Sequence, residues 1–395
     1  MGELKVAPPM EILYLSHCVP YPPDKGERIR AYHQVRHLAR RHRVHVVCAA
    51  RHAPEAEHLE ALRGWCASVK VCPAGGLGAL LRGGFRFALG GSLNTGYYAA
   101  RSLRNAVAAV CGRHRPAACF VYTAVMFQFA PPDLPRYLDL VDVDSEKWFQ
   151  YARTRSLALL YGAEARRLRA IERDLGKAAA RVWLTTRQEA ELYRSFAPEA
   201  RTGVIENGID AVYFDPGATA ASTEPAAGPY AVFVGQLDYY PNSDAAVWFA
   251  REVLPLLRGR FPEVGFRIVG RNPPASVRAL DRLPGVRVTG AVPDVRPYLK
   301  HAAAFVAPLR IARVIQNKVL EALAMGCPVL ASDAVAATFG DRLPVGLFHC
   351  PAPADYRDRW DARDAVAPAE IRDAIRRRFN WEKNLAVLDE ALSPG

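Results

Sequence analysis

No window of this chain reaches the roughly 18 consecutive apolar residues of a membrane-crossing helix. The opening stretch, MGELKVAPPMEILYLSH, has an early acid and too short an apolar run for a secretory signal. A cytoplasmic location is therefore expected. The eight cysteines form no C-x-x-C pair, and no His/Cys group has ligand spacing, so neither a disulfide framework nor a zinc site is expected. Low-complexity tracts are absent as well, which leaves no compositional case for disorder. The most informative absence is local: from Ala61 to Pro132 there is no Asp or Glu.

That acid-free stretch carries Arg63, Lys70, Arg82, Arg86, Arg101, Arg104, Arg113 and Arg115. Residues 1 to 200 hold 29 Lys and Arg against 18 acids, whereas the remainder holds 23 against 22. The basic excess thus belongs to the first half, and such a field suits an anionic surface. No aromatic-basic module or helix-turn-helix pattern accompanies it, which argues against a nucleic-acid partner. Within the stretch, Leu80, Leu81, Phe85, Phe87 and Leu89 interleave with Arg82 and Arg86. Two readings follow: an interfacial segment for an anionic membrane, or core residues beneath a solvated basic rim.

The 395 residues suffice for two or three domains, each with its own core. Short apolar runs alternate with longer helical patterns, the signature of an α/β fold with parallel sheets. The strand candidates of the first half are EILYLSH, RVHVVCAA, SVKVCPA, ACFVYTA, RYLDLVDVD, VWLTT and TGVIE. Those of the second are YAVFVGQL, GFRIVGR, VRVTGAV, AAFVAPL and CPVLASD. Small, Pro-containing residues at 216–228 read as a linker between domains 1–215 and 229–378. Residues 379–395 read as a helix with the pattern to cross back onto the first domain. Ligand sites are expected where strands end in such sheets, in the crevice between the two domains.

Asn317 and Lys318 open a helix that Gly326 and Pro328 stop, and Lys318 and Glu321 face one side of it. One reading puts phosphate oxygens against its free N–H groups and lysine, with the carboxylate on ribose hydroxyls. The other is an exposed i,i+3 salt bridge. Gly270 ends the RIVG strand, where a donor base could lie against the backbone. Asp142 and Asp144 stand at the tip of DLVDVD, placed for an acceptor-side base, although Asp144-Ser145 also suits a helix cap. His17 ends the first strand, as a second such candidate or a plain strand-end histidine. Asn207-Gly208 reads as a turn closing the first domain.

KVLEALAMGCPVLAS, preceded by ENGIDAVYF and YAVFVGQLDYYPNSDAA, resembles the retaining, family 4 type (group 1) glycosyltransferases. LSHCVPYPPDKGERIRAYHQVRHLA and DLVDVDSEKW narrow the resemblance to the sugar transferases of PEP-CTERM and exosortase exopolysaccharide clusters. The resemblance implies a GT-B fold of two Rossmann-like domains facing a cleft, with a nucleotide-sugar donor, retention of configuration and neither metal nor cofactor. A glycan or polyprenyl-linked acceptor is expected with it, and the basic, apolar stretch, read as interfacial, would put the protein on the inner face of the membrane. Glu321 takes the position of the family's second glutamate, which implies a contact to the donor ribose. Gly26, in the loop after the first strand, takes that of a glycine that lets backbone approach the donor.

Two departures stand out. Arg313 occupies the place of the first glutamate, in the acid-free loop PLRIARVIQNK. After Gly235, Gln236 and Asn242 stand where the family has Arg and Lys. Cations for a diphosphate are then expected from Arg310, Arg313 and Lys318. The same departures leave room for a non-catalytic protein of this fold that binds nucleotide sugar or polysaccharide.

Overall fold

A computed structural model describes residues 9–154, 156–219 and 228–392. The chain divides into two units. One takes in the chain to Ile205 and returns from Leu385 onward, and the other is Glu206–Asn384.

The first unit is built on seven strands: β1 Glu11–Ser16, β2 Arg43–Ala50, β3 Ser68–Pro73, β4 Ala118–Tyr122, β5 Arg136–Val141, β6 Arg181–Leu184 and β7 Thr202–Val204. All pair in parallel, in the order β3-β2-β1-β4-β5-β6-β7. Ile12 to Leu15 and Val44 to Ala49 are buried throughout, as continuous apolar runs must be when helices cover both faces. A ladder of rings crosses the sheet, with Phe120 on Tyr137 at 4.9 Å and Tyr137 on Trp183 at 6.0 Å. Tyr137 also donates its hydroxyl to Ala391 O at 2.7 Å, and Asp389 pairs with His37 and Arg41 at 3.2 Å each. These contacts tie the end of the Trp381–Leu392 helix to the first unit.

A polar knot crosses this core. Arg30 reaches Asp139 through Nε at 2.6 Å and Nη2 at 3.0 Å, and donates through Nη1 to Ile205 O at 2.7 Å. Gln34 bonds the same carboxylate and accepts from the Tyr14 hydroxyl at 2.6 Å. Every member is buried.

The second unit holds six parallel strands: β8 Tyr230–Val234, β9 Gly265–Val269, β10 Val286–Gly290, β11 Ala304–Ala307, β12 Val329–Ala331 and β13 Leu347–His349. Their order is β10-β9-β8-β11-β12-β13. In each sheet the strand order reverses once, between β1 and β4 and between β8 and β11. Loops diverge there and leave room at the carboxyl ends of the strands.

The change of unit falls at Glu206, ahead of the linker expected at 216–228, of which residues 220–227 lie outside the described residues. Asn207-Gly208 belongs to the second unit rather than to a turn closing the first. Ile209 donates its N–H to Phe379 O at 2.8 Å, and a Cβ on Gly208 would meet the Trp381 ring at 2.6 Å.

Candidate functional site

At the reversal in the second unit, β8 delivers Gly235 and β11 delivers the loop that leads to the Asn317–Ala324 helix. Lys318 Nζ donates to Asn242 Oδ1 at 2.5 Å, and Asn242 Nδ2 donates to Gln236 O at 2.9 Å. Asn242, buried in the first turn of the Tyr240–Trp248 helix, thus ties the loop after β8 to the lysine. Gly235 leaves room for this pair, because a Cβ there would stand 3.0 Å from Asn242 Nδ2 and 3.1 Å from Lys318 Nζ, so both side chains would have to give way. The ammonium also lies 4.9 Å from the centre of the Phe233 ring.

Lys318 and Glu321 make no salt bridge, which removes that reading of the pair. Burial pushes the Lys318 pKa down to about 8, against the opposing charge of Glu321. Burial pushes Glu321 up to about 7. Asn317 accepts from Asn207 Nδ2 at 3.0 Å, and Asn207 also donates to Ile315 O at 3.1 Å. No side chain caps the helix amino end, whose first N–H groups have no intrahelical partner.

Arg310 is held by Asp244, with Nε to Oδ2 at 2.8 Å and Nη2 on the other oxygen. Its charge is therefore partly answered within the protein. Arg313 is half-buried in the same loop, and Gln236 is exposed. Gly270 sits against Gly235: a Cβ there would lie 1.7 Å from Gly235 O. Backbone packing accounts for this glycine without a base stacked on it.

In the first unit the reversal brings His17, after β1, to Thr123, after β4, with Nδ1 3.3 Å from Oγ1. The imidazole faces Tyr122 at 5.3 Å and Tyr98 at 6.2 Å between ring centres. Its Nε2 lies 3.7 Å from Glu27, whose carboxyl the His17 contact holds down at about 2. Arg51 donates to the Tyr98 hydroxyl at 3.3 Å. Thr123 (φ 71°) and Val141 (φ 72°) are β-branched residues in left-handed backbone at the ends of neighbouring strands, the kind of strain that gathers at functional sites. Arg51, Tyr98 and Thr123 had no motif to announce them, and Glu27 lies unmarked in the stretch that opens at Leu15.

Gly26 is the exposed first residue of the Gly26–Ala39 helix, and its backbone is not left-handed. Asp142 follows β5 in a turn, with its N–H on Leu140 O at 3.0 Å. Asp144 is the first residue of the Asp144–Thr154 helix, where a carboxylate favours the helix dipole. Two buried acids hold this corner: Glu189 accepts from Val143 N at 2.8 Å, and Glu172 from Ser145 N at 3.0 Å.

Among the described residues, one metal-ligating group comes together: Glu11, His45 and His114, with ligand atoms within 4.8 Å of one another. They are too far apart in sequence to form a motif. Glu11 and His45 stand toward the amino ends of β1 and β2, the end of β1 away from His17, His114 ends the Arg101–His114 helix, and Arg43 already donates to Glu11 at 2.7 Å.

The comparisons with known proteins bear on the second unit first. Residues 228–349 match the family model described as Glycosyl transferases group 1. The whole chain is similar in structure to sucrose-phosphate synthase from Thermosynechococcus elongatus, with a TM-score of 0.69 and 16% identity over 97% of this chain and 98% of that one. It is likewise similar to Anabaena HepE, solved with UDP-glucose (TM-score 0.66, 15% identity, 97% and 99% covered). WaaG, a glycosyltransferase of lipopolysaccharide biosynthesis, gives a TM-score of 0.60 at 15% identity, with 96% and 95% covered. No curated protein matches the sequence. The chain has the GT-B fold, and residues 228–349 of its second unit are similar to the group 1 glycosyl transferases.

Proposed function

We propose that the protein is a glycosyltransferase that takes a sugar from a nucleoside-diphosphate sugar and passes it, with retention, to a glycan or polyprenyl-linked acceptor. The setting is exopolysaccharide or other cell-surface glycan synthesis. The observation that carries this reading is Lys318. Its ammonium sits beside Gly235 at the amino end of a helix, oriented by Asn242 and without a carboxylate ion pair among the described residues.

In this reading Lys318 and the free N–H groups of the helix bind the diphosphate and stabilise its charge as it leaves. Glu321, ionised, accepts from ribose hydroxyls. The bond from the anomeric carbon to the β-phosphate oxygen breaks while a bond to the acceptor oxygen forms on the same face. The acceptor's proton passes to the departing phosphate. Orientation supplies the rest of the acceleration, and turnover is expected to survive a chelator.

The missing first carboxylate and the Arg310–Asp244 pair favour a second reading, a binding protein that holds the donor without transferring its sugar. Incubation with a panel of nucleotide sugars and a lipid extract separates the two, with nucleoside diphosphate release and the anomeric NMR signal of the product as readouts. Release with a retained anomer supports transfer. Binding of a donor without release in any mixture supports the second reading.

A further inference from the structure

The Gly76–Ala88 helix faces the wrong way for a core helix. It buries only Ala79 and Gly83, whereas Leu77 is 72%, Leu81 63%, Phe85 69% and the following Leu89 73% exposed, with Leu80 beside them. At spacings of three, four and eight residues these side chains form one ridge along the helix. The orientation is built in. A Cβ on Gly83 would meet Leu93 O at 2.9 Å, and one on Gly96 would meet Gly83 Cα at 3.0 Å, so two glycines let the helix lie directly on its neighbour. Arg82 donates to Tyr97 O at 3.2 Å, and Arg167 to Phe87 O at 2.7 Å while covering the Phe87 ring. Buried Glu164 holds Ser92, Leu93 and Asn94. Within two helical turns before Glu164, roughly 6 to 10 Å by rise, stand the exposed Leu157, Leu159 and Leu160.

Of the residues singled out in the sequence, Leu80, Leu81, Phe85 and Leu89 are thus surface, and the reading that made them core is overturned. We infer that this ridge, with the leucines at 157–160, enters the headgroup boundary of an anionic lipid bilayer. Charge selects that occupant. Arg82, Arg86, Arg101 and Arg104 lie on this helix and the Arg101–His114 helix, in the acid-free part of the chain, and none pairs with a carboxylate among the described residues. A second copy of the same face would bring the same positive field against itself, whereas an anionic surface answers it. The inference deepens the reading of a lipid-linked acceptor, and its test needs no turnover.

The test is flotation of the full chain with phosphatidylglycerol/phosphatidylcholine vesicles and with pure phosphatidylcholine. Binding is expected to the anionic vesicles alone and to weaken as salt shortens the Debye length from about 10 Å at 0.1 M. Leu81→Ser with Phe85→Ser should lower binding by at least about tenfold, and Arg101→Glu with Arg104→Glu by about tenfold. Both pairs are exposed, and unchanged melting and donor affinity would show that the fold and the second unit are intact. Equal binding to both vesicles, no binding at low salt, or binding unchanged by the Leu81/Phe85 pair would overturn the inference. So would a dimer in solution that those two substitutions dissociate.

Discussion

Lys318 Nζ donates to Asn242 Oδ1 at 2.5 Å, so that a lysine from the first turn of the helix after β11 fills space beside the glycine that follows β8. If that lysine meets a diphosphate, Lys318→Ala should lower donor affinity by about 1.5–3 kcal/mol, the worth of a charge-assisted hydrogen bond. Glu321→Ala should do the same through the ribose. Calorimetry on folded variants reads both, and unchanged affinity in both would remove the site from the second unit.

Donor affinity should also respond to pH in a defined direction. Lys318, lowered to about 8 by burial, loses its charge as pH rises through that value, and affinity should fall by up to about tenfold per unit above it. Glu321, raised to about 7, must ionise to accept from ribose, so affinity should also decline as pH drops below 7. The optimum lies between the two. A profile flat from pH 6 to 9 would contradict it.

Much of this arrangement was legible beforehand, and what was not has physical reasons. The twelve strand candidates each correspond to a strand, because buried parallel strands are continuous apolar runs bounded by turn residues. β13, Leu347–His349, was missed since three residues between Gly346 and Cys350 carry no pattern. Asp244 was invisible as Arg310's partner because the pair is joined by the fold across 66 residues. For the same reason His17 was read without Thr123. Gly270 was noticed for its strand end, but its reason, the Gly235 carbonyl, lies on another strand.

That last contact predicts a structural cost. With 1.7 Å between a new Cβ and Gly235 O, Gly270→Ala must move backbone at the end of β8. A loss of about 3 kcal/mol or more is expected from overpacking, read by denaturant melts, with donor affinity falling in parallel. A variant as stable as the parent would show that the strands separate freely there.

The knot in the first unit should fail asymmetrically. Arg30→Met leaves Asp139 buried without its cation and should cost about 3–5 kcal/mol, whereas removing both charges should cost less than the sum of the single changes. A double-mutant cycle in urea reads the coupling, and additive losses would contradict it.

Glu172 offers an independent check on burial. Its carboxyl is pushed up to about 8, so the folded state holds a proton that the unfolded chain releases near 4.5. Stability from this group is full below the unfolded value and is lost as pH rises through 8. Glu172→Gln should flatten that decline, and an identical slope in the variant would contradict the burial account.

The most direct measurement for the central claim is a calorimetric titration of the parent and of Lys318→Ala with a panel of nucleoside-diphosphate sugars. The account predicts that at least one donor binds the parent and that its affinity drops by about tenfold or more in the variant. Failure of every donor to bind the folded parent, or equal affinity in the two proteins, would contradict it.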